Sequence, residues 1–250
     1  MRRLNDHLTA LRTEKGTAAI AFTLLELAAD AAVAAEIPDV SRYAGNLLGA
    51  LDRQSSQEAE QALIDLYVRL HVAGSAYSPA ERILLDRRSG YSSHPGGLQP
   101  LLAAGKYIGP GSVVADLGAG NGLQGLLLQR LYPHRKTLQV ELCGDMIRVG
   151  RLFQRVLGIG KDRVEWLHDD ILNAPFETAD FVYIYRPSNP VGRGRDFYRQ
   201  IAGKLAAATK PLVVLSVADC LAEFLDGCFS VAHSDGHLTC FLRKGTLFTI

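Results

Sequence analysis

Residues 113–122 read Val-Val-Ala-Asp-Leu-Gly-Ala-Gly-Asn-Gly. An apolar run ends in one acid, Asp116. Three glycines then alternate at Gly118, Gly120 and Gly122, with Ala119 between the first two. Glycine admits positive φ and lets a ligand approach the main chain closely. The apolar stretch Leu123 to Leu131 follows with helical character, and a helix N-terminus offers unpaired N–H groups. A buried strand, a tight loop and a helix in this order make a seat for a nucleotide-like cofactor. The spacing narrows the choice. A dinucleotide fingerprint begun at Gly118 puts its third glycine at position 123, which is Leu123. Begun at Gly120, it puts the third at Gly125 and pushes the turn into the helix. No Gly-Lys-Ser or Gly-Lys-Thr occurs, so the phosphate-binding loop of nucleotide hydrolases is absent. What remains is D-x-G-x-G-x-G.

More groups capable of chemistry stand at the ends of later apolar runs. Lys136 to Leu142 reads as a strand with Glu141 near its end, where a carboxylate can accept both hydroxyls of a ribose. Arg163 to His168 reads as a third strand, followed by Asp169, Asp170 and Ile171. Ala179 to Tyr185 reads as a fourth, followed by Arg186-Pro-Ser-Asn-Pro190. In an open parallel sheet, ligands bind outside the carboxyl ends of the strands.

The glycine loop resembles the first motif of the class I S-adenosylmethionine-dependent methyltransferases, and the resemblance extends over roughly Gly97 to Ile250. It implies S-adenosylmethionine as cofactor, a cation without phosphate, which suits an acid beside the loop. It implies cofactor contacts at Asp116, Gly118, Ala119, Gly120, Gly122, Glu141 and Leu142. An acid in the loop after the third strand would receive the adenine amino group. Asp170 with Ile171 packing on the ring is the better match, and Asp169 the second. A backbone N–H near Ile171 would serve the adenine acceptor nitrogen. Family members that methylate amide or nucleobase nitrogens often carry [DN]-P-P-[FYW] directly after the fourth strand. This chain has Tyr185-Arg186-Pro187-Ser188 there, with Asn189-Pro190 displaced, and so departs from that subclass. Tyr185 and Arg186 still stand where the methyl group would be presented. In many members the segment before the first strand folds over the site, which makes Tyr91 and His94 candidates for its mouth. A base is needed only for an acceptor protonated at working pH. His94, Tyr91 and Tyr185, in that order, are the candidates.

The elements that must position these groups are readable. The fold class is α/β: a doubly wound, mostly parallel seven-stranded sheet with a C-terminal antiparallel hairpin, preceded by an α-helical N-terminal domain. Residues 1–76 form the helical domain, with helices at Asn5 to Arg12, Thr17 to Ala35, Val40 to Leu51 and Gln57 to Ala73. Ser55 and Glu58 have capping-box spacing, as do Ser78 and Glu81. Residues 77–110 connect on the cofactor side, with a helix from Ser78 to Arg88 and a loop from Gly90 to Gly97. Residues 111–250 form the cofactor-binding domain. Helices are expected at Gly144 to Leu157, Gly194 to Ala208 and Ala218 to Leu225, and a strand at Pro211 to Val217. Ser234-Asp-Gly236 between two strand-like runs marks the hairpin.

The chain of 250 residues is 48% hydrophobic, enough for a full core. A net charge of +1 gives no general pull toward nucleic acid or an anionic membrane. Cys143, Cys220, Cys228 and Cys240 lack C-x-x-C spacing, so neither a metal site nor a disulfide framework is expected, and reduced thiols fit a cytoplasmic protein. The N-terminal apolar run is too short to span a bilayer. The expected activity is methyl transfer to an acceptor that the sequence does not identify, a small molecule or protein side chain being favoured over nucleic acid. The helical domain would cover the site and supply specificity, or mediate a homodimer. Two other classes stay open: an S-adenosylmethionine-binding regulatory protein without activity, and a nicotinamide-dependent oxidoreductase, against which Leu123 speaks.

Overall fold

The computed structural model describes residues 16–74, 76–91, 95–208, 210, 212–218, 220–225 and 227–245. A seven-stranded sheet carries the molecule. Its strands are β1 (Val113–Leu117), β2 (Lys136–Glu141), β3 (Val164–His168), β4 (Phe181–Tyr185), β5 (Val213–Val217), β6 (Phe229–Ser234) and β7 (Leu238–Arg243). They lie in the order β3-β2-β1-β4-β5-β7-β6. The first five are parallel, β7 runs antiparallel to β5, and β6 pairs antiparallel with β7. This is the expected doubly wound sheet with its terminal hairpin. The order reverses direction between β1 and β4, and the crevice beyond their carboxyl ends is where such sheets bind ligands. Every residue of β1 and β5 is buried, so these central strands are apolar almost throughout, whereas edge strand β6 buries only Phe229.

The N-terminal helices are α1 (Thr17–Ala29), α2 (Ala31–Glu36), α3 (Val40–Asp52) and α4 (Ser56–His71); α5 (Pro79–Arg87) and α6 (Gln99–Ala104) lead into the sheet. Between the strands come α7 (Leu123–Leu131), α8 (Gly144–Val156) and α9 (Arg193–Ala207). One face of the sheet shares a single core with α1, α4, α7 and α8, built around Leu24, Leu66, Leu126, Phe153, Phe181 and Leu215. The other face packs on α9 through Phe197, Tyr198 and Ile201. The helical part therefore lies on the sheet with no solvent layer between them.

Three expectations change. The helix expected at Thr17 to Ala35 breaks at Asp30, whose carboxylate accepts from the N–H groups of Ala32 (2.8 Å) and Val33 (3.1 Å). A short acid that bonds its own following amides offers the backbone an alternative to helix. Ser55 makes no side-chain cap, and Glu58 instead pairs with Arg53 at 2.7 Å, whereas the capping box at Ser78 and Glu81 is complete. Among the described residues, the helix expected at Ala218 to Leu225 is replaced by turns, because Ala218 takes φ 62° and gives its N–H to His237, tying the chain to the hairpin. The expected helix at Asn5 to Arg12 lies outside the described residues. Among those described, no helix is long and apolar enough to cross a membrane.

Candidate cofactor and acceptor site

A cleft opens at the carboxyl ends of β1 to β4 and encloses about 900 Å³, including the part open to solvent. Its base is the loop between β1 and α7. Gly118, Gly120 and Gly122 take φ of 79°, 59° and 67°. All three are left-handed, a conformation costly for any other residue. The N–H groups of Gly118 and Ala119 both donate to the Val140 carbonyl at 2.9 Å, which folds the loop back over β2. The three glycines serve different ends. A Cβ on Gly120 would meet nothing nearer than Met146 Cε at 3.8 Å, so this position faces open cleft. One on Gly122 would stand 2.3 Å from Trp166 Cη2. Gly122 lies outside the cleft wall, and its small size serves packing rather than ligand contact.

Glu141 stands opposite the loop and is buried. Its two oxygens accept from Gly120 N–H and Cys143 N–H, each at 2.7 Å. Burial raises its carboxyl above the usual range, and these amides pull it back. Asp116 is buried beneath the loop, where one oxygen accepts from Gly125 N–H at 3.1 Å. Burial pushes its carboxyl up to about 7, with Gly125 opposing and the Glu141 charge adding. A carboxyl raised in the folded state favours the fold below its unfolded value and loses that contribution as pH rises through the folded one. The ligand-free protein is therefore expected to lose stability between about pH 4 and 7 (from 3.8 to about 7). Asp116→Asn should flatten that slope in thermal unfolding, and an unchanged slope would show that Asp116 does not titrate there.

Asp169, Asp170 and Ile171 close the third side. Asp170 holds Arg88 Nε at 2.7 Å with one oxygen and Leu172 N–H at 3.0 Å with the other. Asp169 uses one oxygen for Asp170 N–H and Asn173, leaving its second oxygen without a partner among the described residues. The Ile171 N–H has no partner among them either. Leu142, Met146, Pro187 and Phe197 add apolar wall.

The structure brings Tyr91 and Tyr185 into the wall. Arg186 is not part of it. Its guanidinium lies 6.0 Å from the ring centroid of the wall residue Tyr91. Its φ of 30° is a strained value for a residue with a side chain, held at the turn that leaves β4. His94 lies outside the described residues. Several wall residues escaped sequence reading: His71 from α4, Tyr77 and Arg88 flanking α5, Gln124 from α7, and Tyr183. Only Tyr183 carried a usable signal, since it lies two residues before Tyr185 on the same strand and so on the same face.

Helix α5 covers the cleft without burying a single residue of its own. Polar contacts hold it. Glu81 accepts from Gly144 N–H at 2.8 Å and lies 3.1 Å from His168 Nε2. Burial alone would raise the Glu81 carboxyl, but the amides of Gly144 and Ser78 hold it down to about 2. Beyond α5, residues Arg88 to Tyr91 form a short antiparallel bridge onto Pro187 to Asn189. Tyr91 N–H donates to Pro187 O at 3.0 Å, and Asn189 N–H to Ser89 O at 2.8 Å. The buried Ser188 hydroxyl donates to Arg88 O.

No family model matches the sequence, and no curated protein matches it. Solved structures do, and the structural neighbours are S-adenosylmethionine-dependent methyltransferases. An RNA methyltransferase from Salinibacter ruber in complex with S-adenosyl-L-homocysteine overlaps 61% of this chain and 93% of its own, at 16% identity and a TM-score of 0.47. A geranyl diphosphate C-methyltransferase from Streptomyces coelicolor, with S-adenosyl-L-homocysteine, covers 47% of this chain and 44% of its own, at 19% identity and 0.39. TrmN from Thermus thermophilus covers 58% and 46%, at 19% and 0.44. The likeness is one of fold.

Proposed function

We propose that the protein binds S-adenosylmethionine in this cleft and transfers its methyl group to an acceptor. One observation carries the reading: the left-handed glycine loop and the Glu141 carboxylate meet at the cleft wall, where Gly120 N–H donates to Glu141 at 2.7 Å, with the Ile171 N–H, unpartnered among the described residues, on the third side. These groups fit an adenosine. Glu141 keeps lone pairs for both ribose hydroxyls while accepting from two amides. The Ile171 N–H suits an adenine acceptor nitrogen, and the acid pair suits the adenine amino group. Asp170 is engaged by Arg88, which favours the free oxygen of Asp169 over the order expected from sequence. Gly120 leaves room for the main chain to lie against the ligand. Asp116 and Glu141 place two acids beside the seat, and Arg88 in the same wall is paired with Asp170, an arrangement that favours a cation over a phosphate.

When bound, S-adenosylmethionine supplies an electrophilic methyl on a sulfonium centre. The chain's own task is alignment and exclusion of water. Helix α5 and the bridge at Tyr91 cover the cleft, and Tyr185 and Tyr91 bound the side where an acceptor would lie.

Calorimetric titration tests the reading. S-adenosylmethionine and S-adenosylhomocysteine are expected to bind, and NAD at the same concentration is not. Binding of NAD without response to either of the other two would overturn it. Glu141→Ala is expected to weaken S-adenosylhomocysteine by about 1.5–3 kcal/mol, the range for hydrogen bonds to a charged group. Glu141→Gln keeps one acceptor and turns a donor toward a backbone N–H, so it should fall between. Parental affinity in both variants would remove Glu141 from the ribose.

A further inference from the structure

The acceptor end of the cleft contains a group that nothing so far uses. Tyr183 lies in β4 directly opposite Asp116 of β1. It is 4% exposed, and its hydroxyl is buried without a hydrogen-bond partner among the described residues. An unmade hydrogen bond at a buried polar atom costs roughly 1–3 kcal/mol, so such an atom calls for an explanation. The Tyr183 ring belongs to the cleft wall. Its charged and phenolic neighbours are Tyr67, Asp116 and Tyr185. Tyr67 does not satisfy it: the Tyr67 hydroxyl donates to Gln124 at 2.8 Å, and no hydrogen bond joins the two phenols. Gly96 crosses directly above: a Cβ there would stand 2.2 Å from the Tyr183 hydroxyl. The missing side chain is what lets the main chain pass against the hydroxyl.

A second observation concerns the size of what can enter. The loop after β4 borders the cleft at Pro187 and Ser188, and the chain itself covers it. The bridge from Arg88 to Tyr91 covers Pro187 to Asn189 with two main-chain hydrogen bonds and the Ser188 hydroxyl. Tyr198 fixes the same loop from below, accepting from Ser188 N–H and donating to Ser188 O. A peptide or an RNA strand could reach the loop only by stripping off the bridge.

We propose that the methyl acceptor is a small polar molecule, taken whole beneath the bridge, and that the Tyr183 hydroxyl recognises it by a hydrogen bond to its hydroxyl, amine or carbonyl group. The proposal rests on the S-adenosylmethionine reading above. Tyr183 is a specificity residue for the acceptor and makes no contact with the adenosine.

The test uses the full chain and Tyr183→Phe. Removing a hydroxyl without a partner should leave the melting temperature equal or higher. S-adenosylhomocysteine affinity should stay within about twofold of the parent, since no contact to it is lost. Tritiated S-adenosylmethionine is then supplied with a cell extract split by dialysis into small molecules and retained macromolecules. The parent should label the small-molecule fraction. Tyr183→Phe should label it about tenfold less, the size of one lost hydrogen bond. Label in the retained fraction, or in neither fraction while the cofactor binds, would overturn the proposal. So would a variant that loses S-adenosylhomocysteine affinity but keeps that for 5′-methylthioadenosine, because the hydroxyl would then belong to the amino-acid end of the cofactor. A destabilised variant would show a structural role instead. Failure of the parent to bind S-adenosylhomocysteine would reject the underlying cofactor reading, a separate outcome.

Discussion

Gly120→Val is expected to abolish measurable binding of S-adenosylhomocysteine while leaving a folded protein. The cost to stability is the left-handed backbone, φ 59° at this position, worth about 1–2 kcal/mol for a residue with a side chain. The new atoms meet no packed neighbour, since the nearest to the Cβ is Met146 Cε at 3.8 Å. They project instead into the space the ligand needs. Gly122→Ala should behave in the opposite way. Its Cβ would press on Trp166 at 2.3 Å and on Gln139 Nε2 at 3.0 Å, and left-handed strain adds to the overpacking, for a loss of about 2–4 kcal/mol. Urea unfolding and calorimetry on the two variants separate the roles. A well-folded Gly120→Val that binds normally would take the glycine loop out of the site.

The second large effect is expected at Asn121→Ala. Asn121 sits between two of the loop glycines, fully buried. Its side-chain N–H₂ donates to Leu70 O at 2.7 Å and Ala73 O at 3.1 Å, and its oxygen accepts from Leu123 N–H at 3.3 Å. It therefore caps the end of α4 and the start of α7 at once. Truncation leaves the Ala73 carbonyl and the Leu123 amide unpaired among the described residues and takes one bond from the Leu70 carbonyl, which keeps the Ala73 N–H, for about 2–4 kcal/mol of stability at the usual cost per group. Cofactor affinity should fall with it, because the loop loses its fastening to the helical part. A variant within about 0.5 kcal/mol of the parent, the ordinary scatter of surface changes, would show that the helices do not brace the loop.

The glycine loop, Glu141 and Ile171 were legible because their signals are local. Alternate glycines after an apolar run report a turn, and an acid at a strand end reports a crevice edge. The seven strands were legible for the same reason, since each is a short apolar run bounded by turn residues. The groups that complete the site were not. Arg88 reaches Asp170 across 82 positions, and Asn121 reaches Leu70 across 51. No periodicity within a window reports contacts of that range. Gly122 looked like a ligand-binding glycine by spacing, and only the position of Trp166 shows otherwise. Arg186 looked like a site residue by adjacency, but it sits in the turn after β4 at φ 30° and does not line the cleft.

The measurement that bears most directly on the central claim is a crystal structure with S-adenosylhomocysteine. The account predicts the ribose hydroxyls on the Glu141 carboxylate and the adenine bonded to Ile171 N–H beside Asp169 and Asp170, with Gly120 against the ligand and Tyr183 left clear of it. A nucleoside lying elsewhere, or one whose ribose makes no contact with Glu141, would contradict it.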